Sequence, residues 1–351
     1  MTERGDQEAT TDRRVSLEAI REAEALLHGR VHRTPMLSSR TAAALAGERL
    51  GIRLGAGPKA DGVSRCFVKA EHLQMTGSFK VRGATNRAAG LTEEERRRGV
   101  ITASNGNHGQ AVAYAGAAVG VPVTVVMPVV ATQAKVAAAT GYGARVVLHG
   151  RHFGEALAHA EALRDDLGLV MVHAYDDPAV IAGQGTVGLE ILADLPVVDV
   201  VVVGVGGGGL IGGIASAIKA VRPGCRVYAV EPVGSDALRR GVEAGHPVRI
   251  TPTTIADGLG AAAAGEWTVP IAARALDGFI VVSEATIARG VVFALERMKQ
   301  LLEPAGAAAL AAVLAGQVPI REGETVACVA SGGNVDLHRL PAILALAESG
   351  D

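Results

Sequence analysis

Aromatic residues occupy only 3% of the 351 positions, so the core has to be built from Ala, Val, Leu and Gly. Such a composition suits a Val-rich parallel sheet covered by Ala-rich helices. Cysteine occurs three times, as Cys66, Cys225 and Cys328, with no Cys-x-x-Cys pair. That count excludes a disulfide framework and a structural zinc site, and a reducing cytoplasm is the expected setting. Neither sign of charge is in excess: the net charge is −2 and the pI about 6.6. Nucleic acid and anionic membrane are therefore poor partners. Long apolar runs are also missing. Residues 111 to 134 carry no charge but are cut by Gly120, Pro122 and Pro128, and seven of the nineteen uncharged residues from 200 to 218 are glycine. Neither stretch predicts a membrane span. The N-terminus has no apolar signal core, and residues 1–15 read as a disordered tail.

What is present is alternation. Short β-branched runs, at 67–70, 100–103, 122–127, 144–148, 169–173, 197–204, 226–231, 278–282 and 324–330, are separated by Ala-rich stretches of helical spacing. Helices are expected at 16–28, 78–89, 107–119, 153–167, 209–221 and 285–302, among others. The pattern predicts an α/β protein with parallel sheets and a ligand at the strands' carboxyl ends. The length exceeds what one core supports. The expected division is a large domain from 16–98 and 175–351 with a small domain, 99–174, inserted between. Residues 51 to 66 read as a surface excursion rich in turn formers.

Lysine is scarce, with six in the chain, and Lys80 lies in Thr76-Gly77-Ser78-Phe79-Lys80-Val81-Arg82-Gly83-Ala84, where a structural charge has no evident use. Desolvation in such surroundings lowers an amine's pKa, and a neutral amine can hold a carbonyl as a Schiff base. The ordinary alternative is a helix-start lysine reaching to solvent. Three distant motifs decide between them. Gly204-Val205-Gly206-Gly207-Gly208-Gly209-Leu210 follows a Val-rich strand and opens a helix, which leaves free amides for a phosphate. The same run satisfies the dinucleotide fingerprint through Gly204, Gly206 and Gly209, with Glu231 at the end of the next strand, so an NAD-dependent oxidoreductase is the rival reading. No Gly-Lys-Ser/Thr follows, which excludes a P-loop. Ser104-Asn105-Gly106-Asn107-His108 lies where a strand gives way to a helix and can bind a carboxylate or a cofactor oxygen, though helix capping alone also suits it. Ala330-Ser331-Gly332-Gly333-Asn334 ends the last strand and can present a hydroxyl, or be a plain turn. An amine for a carbonyl, a cradle for a phosphate, an Asn for a phenolic oxygen and a Ser for a ring nitrogen together match pyridoxal 5'-phosphate.

These motifs resemble those of the fold type II pyridoxal-phosphate enzymes, whose fold is that of the tryptophan synthase β subunit, closest to the serine/threonine dehydratases and serine racemase. Arg33-Thr34-Pro35, Asp176-Asp177-Pro178, Gly183-Gln184-Gly185-Thr186, Ala256-Asp257-Gly258 and Glu303-Pro304 extend the resemblance over about residues 16 to 340. It implies two parallel-sheet domains with the cofactor between them. Lys80 would hold the cofactor and then take the Cα proton, next to Phe79. Phosphate would lie on Gly206, Gly207, Gly208, Gly209 and the Leu210 amide; Asn107 would bond the ring hydroxyl and Ser331 the ring nitrogen. Ser104, Asn105, Gly106 and the His108 amide would hold the substrate carboxylate.

The implied reaction is dehydration of an L-3-hydroxy amino acid, threonine or serine first, with phenylserine and 3-hydroxyaspartate as further candidates, followed by hydrolysis of the released enamine to a 2-oxo acid and ammonia. Racemases resembling this chain carry a second serine where Asn105 stands, and an amide is no base, so little racemisation is expected. Relatives bind a divalent cation through an acid after a strand and another six residues on; here Glu231 is followed by Ala237, with Asp236 one place early, so no metal is expected. A homodimer is the base expectation for an oligomer, and the short stretch after Leu340 leads to the expectation of no C-terminal regulatory domain of the kind found on biosynthetic threonine dehydratases.

Overall fold

The computed structural model describes residues 13–54, 65–104 and 106–349. The excursion expected at 51–66 falls mostly outside them, as do Asn105 and the first twelve residues. Among the described residues ten strands form two sheets. The larger has the order β1 (Met36–Ser38), β2 (Cys66–Lys69), β10 (Val326–Val329), β7 (Val200–Gly204), β8 (Arg226–Pro232), β9 (Gly278–Val282). The smaller has the order β5 (Arg145–Leu148), β4 (Val123–Met127), β3 (Val100–Ala103), β6 (Val170–Met171). All pairings are parallel except β1 with β2.

The valine runs make this arrangement because both faces of the large sheet are covered. Along β7, Val200 and Val202 join the core beneath the helices Glu284–Phe293 and Pro304–Leu314, while Val201 and Val203 join the one beneath Gly209–Val221. Helix Pro304–Leu314 is buried on all sides, which its alanine and glycine content permits: a Cβ on its Gly306 would come within 2.1 Å of Gly332 O, and one on Gly290 of the facing helix within 2.7 Å of the Ala311 Cβ. In the small sheet, Val100, Val123 and Val125 face the helices Lys80–Ala89 and Asn107–Ala118, and Ile101 and Val126 face Phe153–Leu167.

Three departures from the expected elements have local causes. The edge strand β1, which is not among the expected strands, is only three residues long and antiparallel. Strand β6 stops at Met171, because beyond Val172 N the backbone carbonyls serve side chains instead: Val172 O accepts from Thr102 Oγ1 and His108 Nε2, and Ala174 O from Lys80 Nζ. The helix expected over 285–302 ends earlier. It widens to a π turn at Ala294–Met298, closes with Gln300 N on Ala294 O, and leaves Lys299 left-handed at φ 59°. That stop turns the chain toward Glu303. No described helix is long and apolar enough to cross a membrane.

Candidate active site

Strand register brings the motifs to one place. Strand β10 lies between β2 and β7, with Val329 paired to both Lys69 and Val203, so Ser331 emerges between the segment leading to Lys80 and the glycine loop. Phe79 N donates to Ser331 O at 3.1 Å, and Ser78 bridges Gly332.

The loop after β7 is a cradle of bare amides. Helix Gly209–Val221 begins after Gly208, which has φ +94° and offers no side-chain cap. The N–H groups of Gly206 to Gly209 and of Leu210 find no acceptor among the described residues. They add to the helix dipole to favour a dianion. Side chains are excluded: a Cβ at Gly207 would lie 2.4 Å from the Tyr175 ring, and one at Gly208 2.8 Å from Thr268 Cβ. Thr268 Oγ1 donates to Gly207 O at 2.7 Å, which pins the loop.

Lys80 opens helix Lys80–Ala89 after a strained turn in which Thr76 has φ 61° and Gly77 φ 72°. Its Nζ donates to Ala174 O at 2.7 Å and lies 5.1 Å from the Phe79 ring centroid. The next residue, Tyr175, is the one packed on the cradle, so amine and glycine loop share a wall. Burial pushes the amine down to about 8, against the opposing pull of Glu303. Roughly one amine in ten is then neutral at pH 7, against about one in several thousand for an ordinary lysine. His108 is held neutral, pushed to about 3 by burial and then by Lys80. Its Nε2–H donates to Val172 O at 2.9 Å.

Asn107 opens helix Asn107–Ala118, whose cap Gly106 supplies no side chain. The leading amides of that helix are thus open to a carboxylate. Gly106 N donates to Ser104 Oγ at 3.2 Å, and Ser104 itself is buried. Asn107 Nδ2 donates to Glu303 Oε1 at 2.6 Å, and Asn334 Nδ2 donates to Asn107 Oδ1 at 2.8 Å. Burial raises the Glu303 carboxyl to about 7, partly offset by the bond from Asn107. Ser331 Oγ has one weak contact, to Ala305 O at 3.4 Å, and keeps its lone pairs free. Glu303 and Asn334 stand in motifs that the sequence analysis names without giving those two residues a role, and Tyr175 is the site residue that sequence reasoning did not single out.

Behind Lys80 lies a charge network. Arg82, 1% exposed, makes paired bonds to Glu71 (2.8 and 2.8 Å) and to Glu190 (2.7 and 2.9 Å). Lys69 bonds Glu190 at 2.6 Å and Thr34 O at 2.7 Å, Thr34 Oγ1 donates to Glu71, and Arg33 pairs with Asp194. Three cations meet three carboxylates.

Glu231 is unsuited both to a ribose and to a cation. It is fully buried, with Oε1 accepting from Leu238 N at 2.9 Å and Oε2 from Arg239 N at 3.0 Å. Burial lifts its carboxyl to about 8, and Asp236 is engaged by Arg239 and Arg240. The dinucleotide reading loses its acidic residue on this ground.

An amine poised near neutrality, a side-chain-free phosphate cradle and an under-used buried hydroxyl are the fittings of a pyridoxal-phosphate enzyme. Residues 31–332 match the family described as pyridoxal-phosphate dependent enzyme. The chain is 40% identical over 331 residues to an L-threonine ammonia-lyase of Thermotoga maritima, covering 94% of this chain and 78% of the other. Among solved structures, the processed threonine deaminase isoform 2 of Solanum lycopersicum superposes with a TM-score of 0.86 at 32% identity, covering 100% and 94% of the two chains. Maize serine racemase gives 0.84 at 34%, covering 93% and 96%. The chain belongs to the pyridoxal-phosphate-dependent enzyme family, with the fold type II architecture, and it is a lyase using that cofactor.

Proposed function

We propose that this enzyme eliminates the β-hydroxyl of an L-3-hydroxy amino acid as water, with L-threonine the preferred substrate and L-serine the second. The released enamine is then hydrolysed by water to 2-oxobutanoate or pyruvate and ammonia, so the net loss is ammonia alone. The observation that carries the reading is the Lys80 amine, held near neutrality beside the glycine cradle. The names of the relatives, L-threonine ammonia-lyase and threonine deaminase, supply the substrate. When bound, pyridoxal phosphate supplies an electron sink that acidifies the Cα–H of an attached amino acid.

The chain's residues do the rest. Lys80 Nζ, displaced from its covalent role, is the base for the Cα proton; it needs no proton removed first because its neutral form is already accessible. The amides of Gly206 to Gly209 and of Leu210 bind the phosphate, and Phe79 lines the site beside the amine. Asn107 donates to the ring oxygen. Ser331 meets the ring nitrogen with a hydroxyl rather than a carboxylate, so negative charge is less fully drawn into the ring and early loss of a β-leaving group is favoured. Ser104, Gly106, the His108 amide and Asn105, the last outside the described residues, orient the substrate carboxylate. Neutral His108 adds no positive charge that would compete for it. The racemase alternative lacks a second base at position 105. We also propose a cytoplasmic homodimer, a cytoplasmic setting being supported by the low cysteine count and the absence of a Cys-x-x-Cys pair in the sequence.

A coupled assay of ammonia across 3-hydroxy amino acids tests the proposal. Threonine and serine should give stoichiometric 2-oxo acid and ammonia, with D-isomer formation below about one turnover in a hundred. Preferred turnover of phenylserine or 3-hydroxyaspartate would overturn the substrate assignment, and rapid formation of D-serine would overturn the role given to Asn105.

A further inference from the structure

Asn107 can serve a ring oxygen as donor only if its carboxamide is held one way round, since a flip would present an acceptor instead. Two residues outside the helix that carries it fix that choice. Asn334 Nδ2 donates to Asn107 Oδ1 at 2.8 Å and also to Thr76 O at 2.7 Å. Glu303 Oε1 accepts from Asn107 Nδ2 at 2.6 Å. The surroundings leave room for nothing else: a Cβ on Gly332 would stand 2.3 Å from Glu303 Oε1 and 3.1 Å from Asn107 Nδ2, and one on Gly77 would stand 2.3 Å from Asn334 Oδ1.

We propose that Asn334 and Glu303 are positioning residues that lock the Asn107 carboxamide with its second Nδ2–H facing the cofactor's ring oxygen, so that this oxygen is held as an ionised acceptor. The same Asn334 amide holds the carbonyl of Thr76, a non-glycine residue in the left-handed region four positions before Lys80. One side chain therefore ties the loop that aims the amine to the group that receives the ring oxygen. The ionised form of Glu303, which prevails above about pH 7, suits this task because a carboxylate accepts without donating back.

The inference rests on the assignment of Asn107 to the cofactor, and the test separates the two. Affinity of the cofactor-free protein for pyridoxal phosphate is measured by equilibrium dialysis for Asn107→Ala, Asn334→Ala, Glu303→Ala and Glu303→Gln, with the pH midpoint of the visible absorbance of each loaded protein. Asn107→Ala, Asn334→Ala and Glu303→Ala should each weaken binding about ten-fold. Glu303→Gln, which keeps an acceptor oxygen, should restore it to within about three-fold of the parent. In an Asn107→Ala background, Glu303→Ala should add nothing to either readout, and Asn334→Ala should add only the smaller part that belongs to its bond to Thr76 O. Undiminished effects in that background would overturn the inference, as would an Asn334 or Glu303 variant that binds and titrates like the parent. An Asn107→Ala protein with unchanged affinity would overturn the cofactor assignment beneath it. Should Asn334→Ala fail to fold, the Glu303 pair carries the comparison alone, since those variants leave the Thr76 clamp in place.

Discussion

Lys80→Ala is expected to lower kcat/KM for threonine by at least about 10³-fold, and to abolish the visible absorbance of the loaded protein while leaving the fold intact. The loss follows from removing both the covalent holder and the base in one side chain. The fold survives because the amine's one hydrogen bond in the structure is to Ala174 O, and deleting a half-buried amine with a depressed pKa removes a cost rather than a support. Lys80→Arg should be as inactive, since a guanidinium has no accessible neutral form.

The pH dependence has a definite sign. The neutral amine is the reactive species, so labelling of Lys80 by an amine-directed reagent in the cofactor-free protein should rise through a midpoint near 8 instead of near the ordinary 10.5. Because the folded value lies below the unfolded one, the unfolded chain binds more protons between those limits. Lys80's contribution to stability therefore increases as pH rises from about 8 to 10.5, and it is least favourable below that window. A labelling midpoint above 10 would show the amine to be solvated.

The second large effect is on stability. Arg82→Met is expected to cost about 3–5 kcal/mol and to lower Tm by roughly 5–10 °C, measured by calorimetry of the cofactor-free protein. Glu71 has 0% exposure and Glu190 is nearly buried, and both would keep charges that Arg82 now satisfies with four hydrogen bonds. Glu71 is held below the usual carboxylate range because Arg82, by charge and by hydrogen bonds, outweighs the opposing effect of burial. Combining Arg82→Met with Glu71→Leu should recover part of the loss, since the orphaned carboxylate goes with its partner. An unchanged Tm for the single variant would mean that the network is solvated. Arg82 lies two residues past Lys80, so a slackened network should also loosen the helix that aims the amine.

The four glycines and Ser331 are legible in the sequence because each follows a β-branched run, and a strand's carboxyl end is where backbone amides and short side chains can face a ligand. Lys80 is legible because lysine is scarce and its setting offers a structural charge no use. Val-rich runs likewise betray a parallel sheet buried on both faces. The partners that complete the site are not legible. Glu303 and Asn334 stand 196 and 227 residues from Asn107, and their bonds depend on how the two sheets face each other rather than on any local pattern. Arg82 reads as part of a motif around a lysine, but its partners Glu71 and Glu190 come from two other segments. The end of the helix at Met298 escapes a periodicity argument for another reason: no proline interrupts the 285–302 stretch, and the break is a backbone event, a π turn followed by a left-handed lysine. Glu231 shows the converse error, in which an acid at a strand end looks like a ligand and is a cap for the amides of Leu238 and Arg239.

The claim on which the account stands is that one particular amine carries the cofactor. Reduction of the loaded protein with borohydride, followed by peptide mass mapping, tests it directly. The account expects a single reduced pyridoxyl adduct, on the peptide containing Lys80, with visible absorbance lost in proportion to labelling. An adduct on Lys69, Lys135, Lys219 or Lys299, or full retention of the unmodified Lys80 peptide, would contradict it.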